Sequence, residues 1–304
     1  VNAAVHPVDV QHRYEELKER GFCIIPGALP VSVLQDLATD LAPAFERTPF
    51  CQGDFYGART KRFGRILARS VHAATVVQCP AILTLAHQIL APACDRIQLN
   101  LTQAIGIHPG APDQFPHRDQ DMWQGVKGEH EYLLNVIWPL TPFTADNGAT
   151  RLFPETHGQR ALTDTTPPPA ELAICQPGDA ICFLGSTLHA AGANIAETER
   201  RCLVTGYSLG WLKPYENQWL AYPPAVARNF PPELAALIGY AQHRPNLGNY
   251  EGQCPSVLLG DDVPEYLAAI DALTPDQAKM LAGYGKAPSS VTGRIDPAGR
   301  VDDR

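Results

Sequence analysis

The apolar residues change their spacing near residue 95, and that change constrains the fold more than any other feature of the chain. Before it, DVQHRYEELKER at 9–20 carries a short helical pattern closed by Gly21, and residues 30–46 place Leu34, Leu37, Leu41 and Phe45 near one helical face. A third helix fits 80–91, with Leu83, Leu85, Ile89 and Leu90 among its apolar positions. Side chains three or four apart share a face of a helix, so each pattern predicts a helix lying on a core. Beyond residue 95 the pattern changes to strand-like runs, the first of which alternates. RIQLNLTQAIGI at 96–107, YLLNVIWPL at 132–140, ATRLFP at 149–154, ELAICQ at 171–176, AICFLG at 180–185 and RCLVTGYSLGW at 201–211 all read as strands. Pro177-Gly178-Asp179 supplies a tight turn between two of them, and FCIIPG at 22–27 is an early strand among the helices.

Short strands with turn-rich joints, after a helical opening, predict a mainly β fold: a double sheet or barrel with helices packed outside. They do not alternate with helices as βαβ units would, and no glycine-rich phosphate or dinucleotide fingerprint follows a strand. There is no internal repeat and no long linker, so residues 1–304 read as a single domain. Residues 50–70 mix glycines with Lys61, Arg62 and Arg65 and read as an irregular cover. A short helix is expected within 230–242, starting near Pro231 or Pro232, and 285–304 reads as a polar tail.

Charge narrows the partners. Lys and Arg number 24 against 32 Asp and Glu, a formal charge of -8, which argues against a nucleic-acid partner. No stretch approaches the roughly 20 consecutive apolar residues of a membrane span, and the opening VNAAVHPVDV lacks the basic and apolar segments of an export signal. The eight cysteines form no CxxC pair, and several lie in apolar segments. They read as reduced, buried small hydrophobes, and the expected location is cytoplasmic.

Chemistry concentrates in QFPHRDQDMW at 114–123. His117 and Asp119 are two apart, so on an extended segment an imidazole nitrogen and a carboxylate oxygen point to the same side. His189 follows a strand-like run in FLGSTLHAAGAN and precedes a glycine turn. Two imidazoles and one carboxylate make the facial triad that holds non-haem iron(II) and leaves neighbouring coordination positions open. His108, His130, His157 and His243 compete for the third place on chemistry alone, and a zinc hydrolase built on His117, Asp119 and one of them is the alternative metalloenzyme. His87, in an apolar helix, reads as structural.

HRD at 117–119, NGATRLFPETH at 147–157 and HAAGANIAETERR at 189–201, in this order, resemble the phytanoyl-CoA dioxygenase family, most clearly over 100–210. The resemblance implies a double-stranded β-helix core and an enzyme that uses Fe(II), 2-oxoglutarate and molecular oxygen. It assigns the metal to His117, Asp119 and His189, and the distal carboxylate of 2-oxoglutarate to Arg200. A guanidinium offers a planar two-donor fork that matches a carboxylate. Arg201 is the rival next door and points the other way if the segment is extended. Thr150 and Gln114 match cosubstrate neighbours in similar natural-product tailoring enzymes, and Gln103 is a third candidate from its strand. Asn147 and Gly148 are expected to shape the turn that presents Thr150, and Asn194 to serve the turn after His189. FPETHG at 153–158 departs from the family's frequent PGSH form.

The expected reaction is oxidation, foremost hydroxylation, of an unactivated C–H bond in a small, largely apolar metabolite, with release of succinate and carbon dioxide. Desaturation, epoxidation, rearrangement and hydroxylation of an acyl-CoA belong to the same cofactor class, and a noncatalytic double-sheet binding protein is the reading from another class. The carboxylate at 119 stands where related iron halogenases have a small residue, which argues against halogenation. Phe55, Tyr56, Phe63, Trp123, Trp138 and Trp211 are candidates to line or cover a pocket, and a homodimer is the assembly that the resemblance implies.

Overall fold

A computed structural model describes residues 7–163 and 166–284, so the polar tail expected at 285–304 lies outside the described residues. Among the described residues, nine strands form two sheets. β1 (Phe22–Ile25), β2 (Thr60–Phe63), β3 (Ile97–Ile107), β4 (Leu133–Pro139), β7 (Ala180–Leu184) and β9 (Arg200–Leu209) make a six-stranded sheet in the order β1-β7-β4-β9-β3-β2. β5 (Thr150–Leu152), β6 (Glu171–Leu172) and β8 (His189–Ala191) make a three-stranded sheet in the order β6-β5-β8. Neighbouring strands run antiparallel throughout. This is the double sheet that the short strands predict and the double-stranded β-helix core that the resemblance implies.

The two-residue period sorts the large sheet into two faces. Along β4, Leu134, Val136 and Trp138 face one core while Asn135 and Ile137 line the cavity on the other side. Along β9, Leu203, Tyr207 and Leu209 join the first core while Arg200, Cys202 and Val204 line the cavity. Helices cover the first face. α1 (Pro7–Arg20) contacts β1, and α2 (Val31–Arg47) buries Leu34, Leu37, Leu41 and Phe45 as their spacing predicts. α3 (Ala73–Val77) leads to α4 (Pro80–Leu90), which contacts β3, β4 and β9 and buries Ile82, Leu85 and Leu90. Each such large apolar side chain contributes roughly 1.5–3 kcal/mol on full burial. The helical run Ala73–Ala93 is long and apolar enough by composition to span a membrane, but half of it is buried inside this protein.

Four local features differ from the sequence expectation. The segment 50–70 contains β2, whose Lys61 and Arg62 make it a polar edge strand without an apolar signature. Only Glu171–Leu172 of the expected strand at 171–176 pairs with β5, and Cys175 forms an isolated bridge with Phe143. β8 is three residues long, too short to announce itself by alternation. Among the described residues, four α-helices follow β9, α5 (Gln218–Ala221), α6 (Pro224–Ala227), α7 (Pro232–Leu237) and α8 (Pro275–Tyr284), of which only α7 is legible beforehand. Proline at the first turn starts α6 and α7, where its missing N–H is no loss.

Candidate metal centre and cosubstrate pocket

The small sheet builds the metal site. His117 and His189 exchange backbone hydrogen bonds of 2.9 and 3.0 Å, an antiparallel bridge that sets their side chains together. Their ring centroids are 4.4 Å apart. The chain then turns into a single 3-10 turn at Asp119–Met122, fastened by the Gln120 N–H donating to the Gly185 carbonyl at 3.0 Å, which swings the Asp119 carboxylate toward both rings. Asp119 Oδ1 lies 3.3 Å from His117 Nε2, and Oδ2 lies 3.6 Å from His189 Nε2. One donor atom from each residue falls within 4.8 Å of the others, the only such metal-capable cluster among the described residues.

The rings are prepared for a cation. His117 Nδ1 is 2.9 Å from the Phe115 carbonyl, and His189 Nδ1 is 3.1 Å from the Thr187 carbonyl. A carbonyl can only accept, so in each neutral ring the hydrogen sits on Nδ1 and the lone pair on Nε2 faces the centre. Burial would raise the Asp119 carboxyl, but His189 and His117 outweigh it and hold the group down to about 2. Burial also pulls His189 below its ordinary value. For His117, burial lowers the value, but the hydrogen bond and charge of Asp119 overcome it and raise the group. An ionised carboxylate between two imidazole nitrogens is a donor set that fits iron(II).

A cavity of about 380 Å³ opens from this centre between the two sheets. Arg200 lies in its wall with 2% of its surface exposed. Its guanidinium donates to the Gly148 carbonyl, reaches Cys202 Sγ at 3.5 Å and stacks 4.2 Å from the centre of the Phe143 ring. Its Nε is buried without a hydrogen-bond partner, and no carboxylate of the described residues pairs with it. A buried charge left unpaired costs several kcal/mol, so the site fits an anionic ligand such as a carboxylate. Arg201 points to the opposite face, where Glu199 takes its Nε and Nη2 at 2.8 and 2.7 Å and its guanidinium lies 4.6 Å from the Phe45 ring centre.

The other sequence candidates divide. Thr150, buried on β5 opposite Ala191, lines the cavity with Gln114 and Gln103. Gln114 donates to the Phe55 carbonyl at 3.1 Å and accepts from the Ala191 N–H at 3.3 Å, tying the cover segment to β8. Gln103 accepts from Arg62 at 3.1 Å. Asn147 bonds Pro142 and Thr144 within its turn, and Asn194 bonds Ile107 and Thr198 after β8, both as expected. Phe55 and Tyr56 line the cavity, whereas Trp138 is buried in the helix-covered core and Phe63 packs 4.9 Å from Phe45. Trp123 and Trp211 donate to the Lys213 and Ala93 carbonyls, outside the cavity lining. None of His108, His130, His157 or His243 joins the metal cluster.

Three contributors escaped the sequence reading. Arg62 is a second cavity cation, stacked 5.1 Å from the Tyr56 ring centre. Tyr215 meets Tyr56 hydroxyl to hydroxyl at 2.8 Å, and burial pushes its phenol up to about 12. Asn135 donates to Asp119 Oδ2 at 2.9 Å. Each comes from an element distant in sequence, so no local motif marks it.

Comparison with known proteins agrees with this geometry. The chain is 29% identical over 250 residues to the multifunctional dioxygenase ausE of Aspergillus calidoustus, covering 75% of this chain and 82% of that one. It is 28% identical over 253 residues to the dioxygenase trt7 of Aspergillus terreus, covering 78% and 86%. Among solved structures it resembles the non-haem alpha-ketoglutarate-dependent epimerase SnoN from nogalamycin biosynthesis, with a TM-score of 0.57, 16% identity and coverage of 67% and 84%. It also resembles HygX of Streptomyces hygroscopicus, solved with nickel and 2-oxoglutarate bound, with a TM-score of 0.53, 13% identity and coverage of 68% and 89%. The family model for phytanoyl-CoA dioxygenase (PhyH) matches residues 17–202, and the chain therefore belongs to this family of iron(II)- and 2-oxoglutarate-dependent oxygenases of small molecules.

Proposed function

We propose that the enzyme hydroxylates an unactivated C–H bond of a small, largely apolar metabolite, releasing succinate and carbon dioxide. One observation carries the reading: a buried arginine without a carboxylate of its own faces the same cavity as a two-histidine, one-carboxylate cluster. His117, Asp119 and His189 would hold Fe(II). Arg200 would pair with the distal carboxylate of 2-oxoglutarate, with Thr150, Gln114 and Gln103 in the surrounding wall. When bound, these groups supply the oxidising power, with dioxygen as the oxidant.

The chain's own part is placement. Backbone carbonyls pin both imidazoles, so their Nε2 lone pairs need no reorganisation to receive a metal. Phe143 fixes the plane of the Arg200 fork by stacking. Ile105, Ile137, Phe183 and Val204 make that wall apolar and keep water from the reacting bond. Phe55, Tyr56 and Tyr215 stand over the opening, where they favour an apolar substrate.

A homodimer fits α8, which buries no residue in its own chain and exposes Met280, Leu281 and Tyr284. Light scattering on the purified protein checks it, with a monomer mass as the opposing result. We place the reaction in the cytoplasm, supported by eight cysteines that are all unpaired, five of them buried. The functional test is aerobic incubation with Fe(II), 2-oxoglutarate and a panel of apolar metabolites, in excess chloride, read by mass spectrometry. The expected product gains one oxygen and no chlorine, with succinate formed in step. A chlorinated product, or turnover without 2-oxoglutarate, overturns the reading.

A further inference from the structure

Asn135 sits on β4 with 1% of its surface exposed, between Phe183 of β7 and Gly206 of β9. A polar amide at the centre of a six-stranded sheet needs a reason, because a buried polar group that lacks partners costs about 1–3 kcal/mol. A purely structural amide would spend both ends on the protein. Here Nδ2 donates to Asp119 Oδ2 at 2.9 Å, while Oδ1 is buried in the cavity wall without a hydrogen-bond partner. The side chain's one hydrogen bond among the described residues is therefore to a proposed metal ligand.

The surroundings are shaped to keep it there. Gly206 lies directly across from it on β9, and a methyl group added at that glycine would stand 3.3 Å from Asn135 Oδ1. Gly206 thus gives the amide its room. Asp119, by contrast, belongs to a single 3-10 turn, and 28% of its side-chain surface is accessible. Asp119 thus rides on a short, partly accessible turn, whereas Asn135 is held on a buried central strand.

We propose that Asn135 is a positioning residue for the metal centre. It engages Asp119 Oδ2, fixes the plane of the carboxylate, and so presents Oδ1 to the metal beside His117. The proposal rests on the reading of His117, Asp119 and His189 as the metal ligands. Asn135 acts through Asp119 and not on the metal itself. Outer hydrogen-bond partners of this kind are worth about 10–100-fold in metal affinity when removed.

The test is a double-mutant cycle read by anaerobic titration with Fe(II), and with Co(II) as a spectroscopic probe of the ligand field. Asn135→Leu keeps the branched shape, though not the volume, and removes the donor, and near-UV circular dichroism checks its fold. Asn135→Ala, which only removes atoms, replaces it if it does not fold. The expected result is affinity weakened about 10–100-fold, with a shifted Co(II) absorption spectrum. In an Asp119→Gly background the same substitution should change affinity by less than about twofold, since the group it positions is gone. Wild-type affinity and spectrum in the Asn135 variant overturn the proposal and leave the ligand assignment standing. An equal loss in both backgrounds also overturns it, because it marks a general structural effect. Failure of the wild-type protein to bind either metal overturns the ligand assignment itself.

Discussion

The two faces of the six-stranded sheet are made from the same strands and do opposite work. On the helix-covered face, Leu134, Val136, Trp138, Leu203 and Tyr207 are buried among apolar neighbours, and the polar atoms of these side chains are satisfied: Trp138 donates to Thr205 at 3.1 Å, and Tyr207 to the Val77 carbonyl at 2.7 Å. On the cavity face the alternate residues include Asn135, Arg200 and Gln103, and buried atoms of Asn135 and Arg200 lack partners. The helix-covered face, dominated by apolar packing, holds the fold together. The cavity face keeps hydrogen-bonding capacity for a ligand, at a cost in stability that the other face offsets.

That contrast can be broken most severely at the metal cluster. His117→Ala, Asp119→Ala and His189→Ala should each abolish detectable turnover and weaken iron binding by orders of magnitude, with thermal stability of the metal-free protein nearly unchanged. Iron titration alongside product formation checks this, and wild-type affinity in Asp119→Ala would refute the assignment. The opposite face should give the opposite signature. Leu203→Ala deletes a fully buried side chain and should cost about 2–5 kcal/mol in urea unfolding. Its 2-oxoglutarate affinity, measured where it remains folded, should stay within about twofold of wild type. A large affinity loss there would mean that the two faces are not separable.

A smaller effect lies outside both faces. Asp95 accepts from Arg244 through the backbone N–H at 3.0 Å and the guanidinium Nε at 2.9 Å, and this pairing holds its carboxyl at about 2. A carboxyl depressed on folding adds stability that is complete above its unfolded value, about 3.9, and disappears as pH falls toward the folded one. The urea midpoint should therefore fall between about pH 4 and pH 2, and Asp95→Asn should flatten that fall slightly. An unchanged slope would show that the pair carries no stability, as many exposed pairs do not.

How much was legible beforehand follows the same division. β3 and β9 are readable because they are long enough for a strand pattern to survive, and β4 and β7 because they are near-continuous apolar runs buried on both faces. β2 and β8 are not, since four and three residues carry too few periods and Lys61 and Arg62 mask the edge. At the site, His117 and Asp119 share one local string, and His189 and Arg200 sit in a second, so spacing reveals them. Arg62, Asn135 and Tyr215 reach the cavity only because strand order brings β2, β4 and the segment after β9 together. No sequence window contains that information. Of the six aromatic candidates, Phe55 and Tyr56 line the cavity and Phe63, Trp123, Trp138 and Trp211 do not, for a related reason: composition cannot tell which sheet face a tryptophan occupies, and Trp138 takes the helix-covered one.

Arg200 and Arg201 put the account to its most direct test, because they are chain neighbours on opposite faces of one strand. The measurement is anaerobic titration of 2-oxoglutarate into Fe(II)-loaded wild type, Arg200→Ala and Arg201→Ala. A charge-assisted pair is worth about 1.5–3 kcal/mol, and each factor of ten corresponds to about 1.4 kcal/mol. Arg200→Ala should therefore bind 2-oxoglutarate about 10-fold to 150-fold more weakly with iron affinity retained, while Arg201→Ala, whose guanidinium is already held by Glu199 on the far face, should bind it almost as wild type does. Wild-type binding in Arg200→Ala, with the loss appearing in Arg201→Ala, would contradict the division of the sheet into a structural and a functional face.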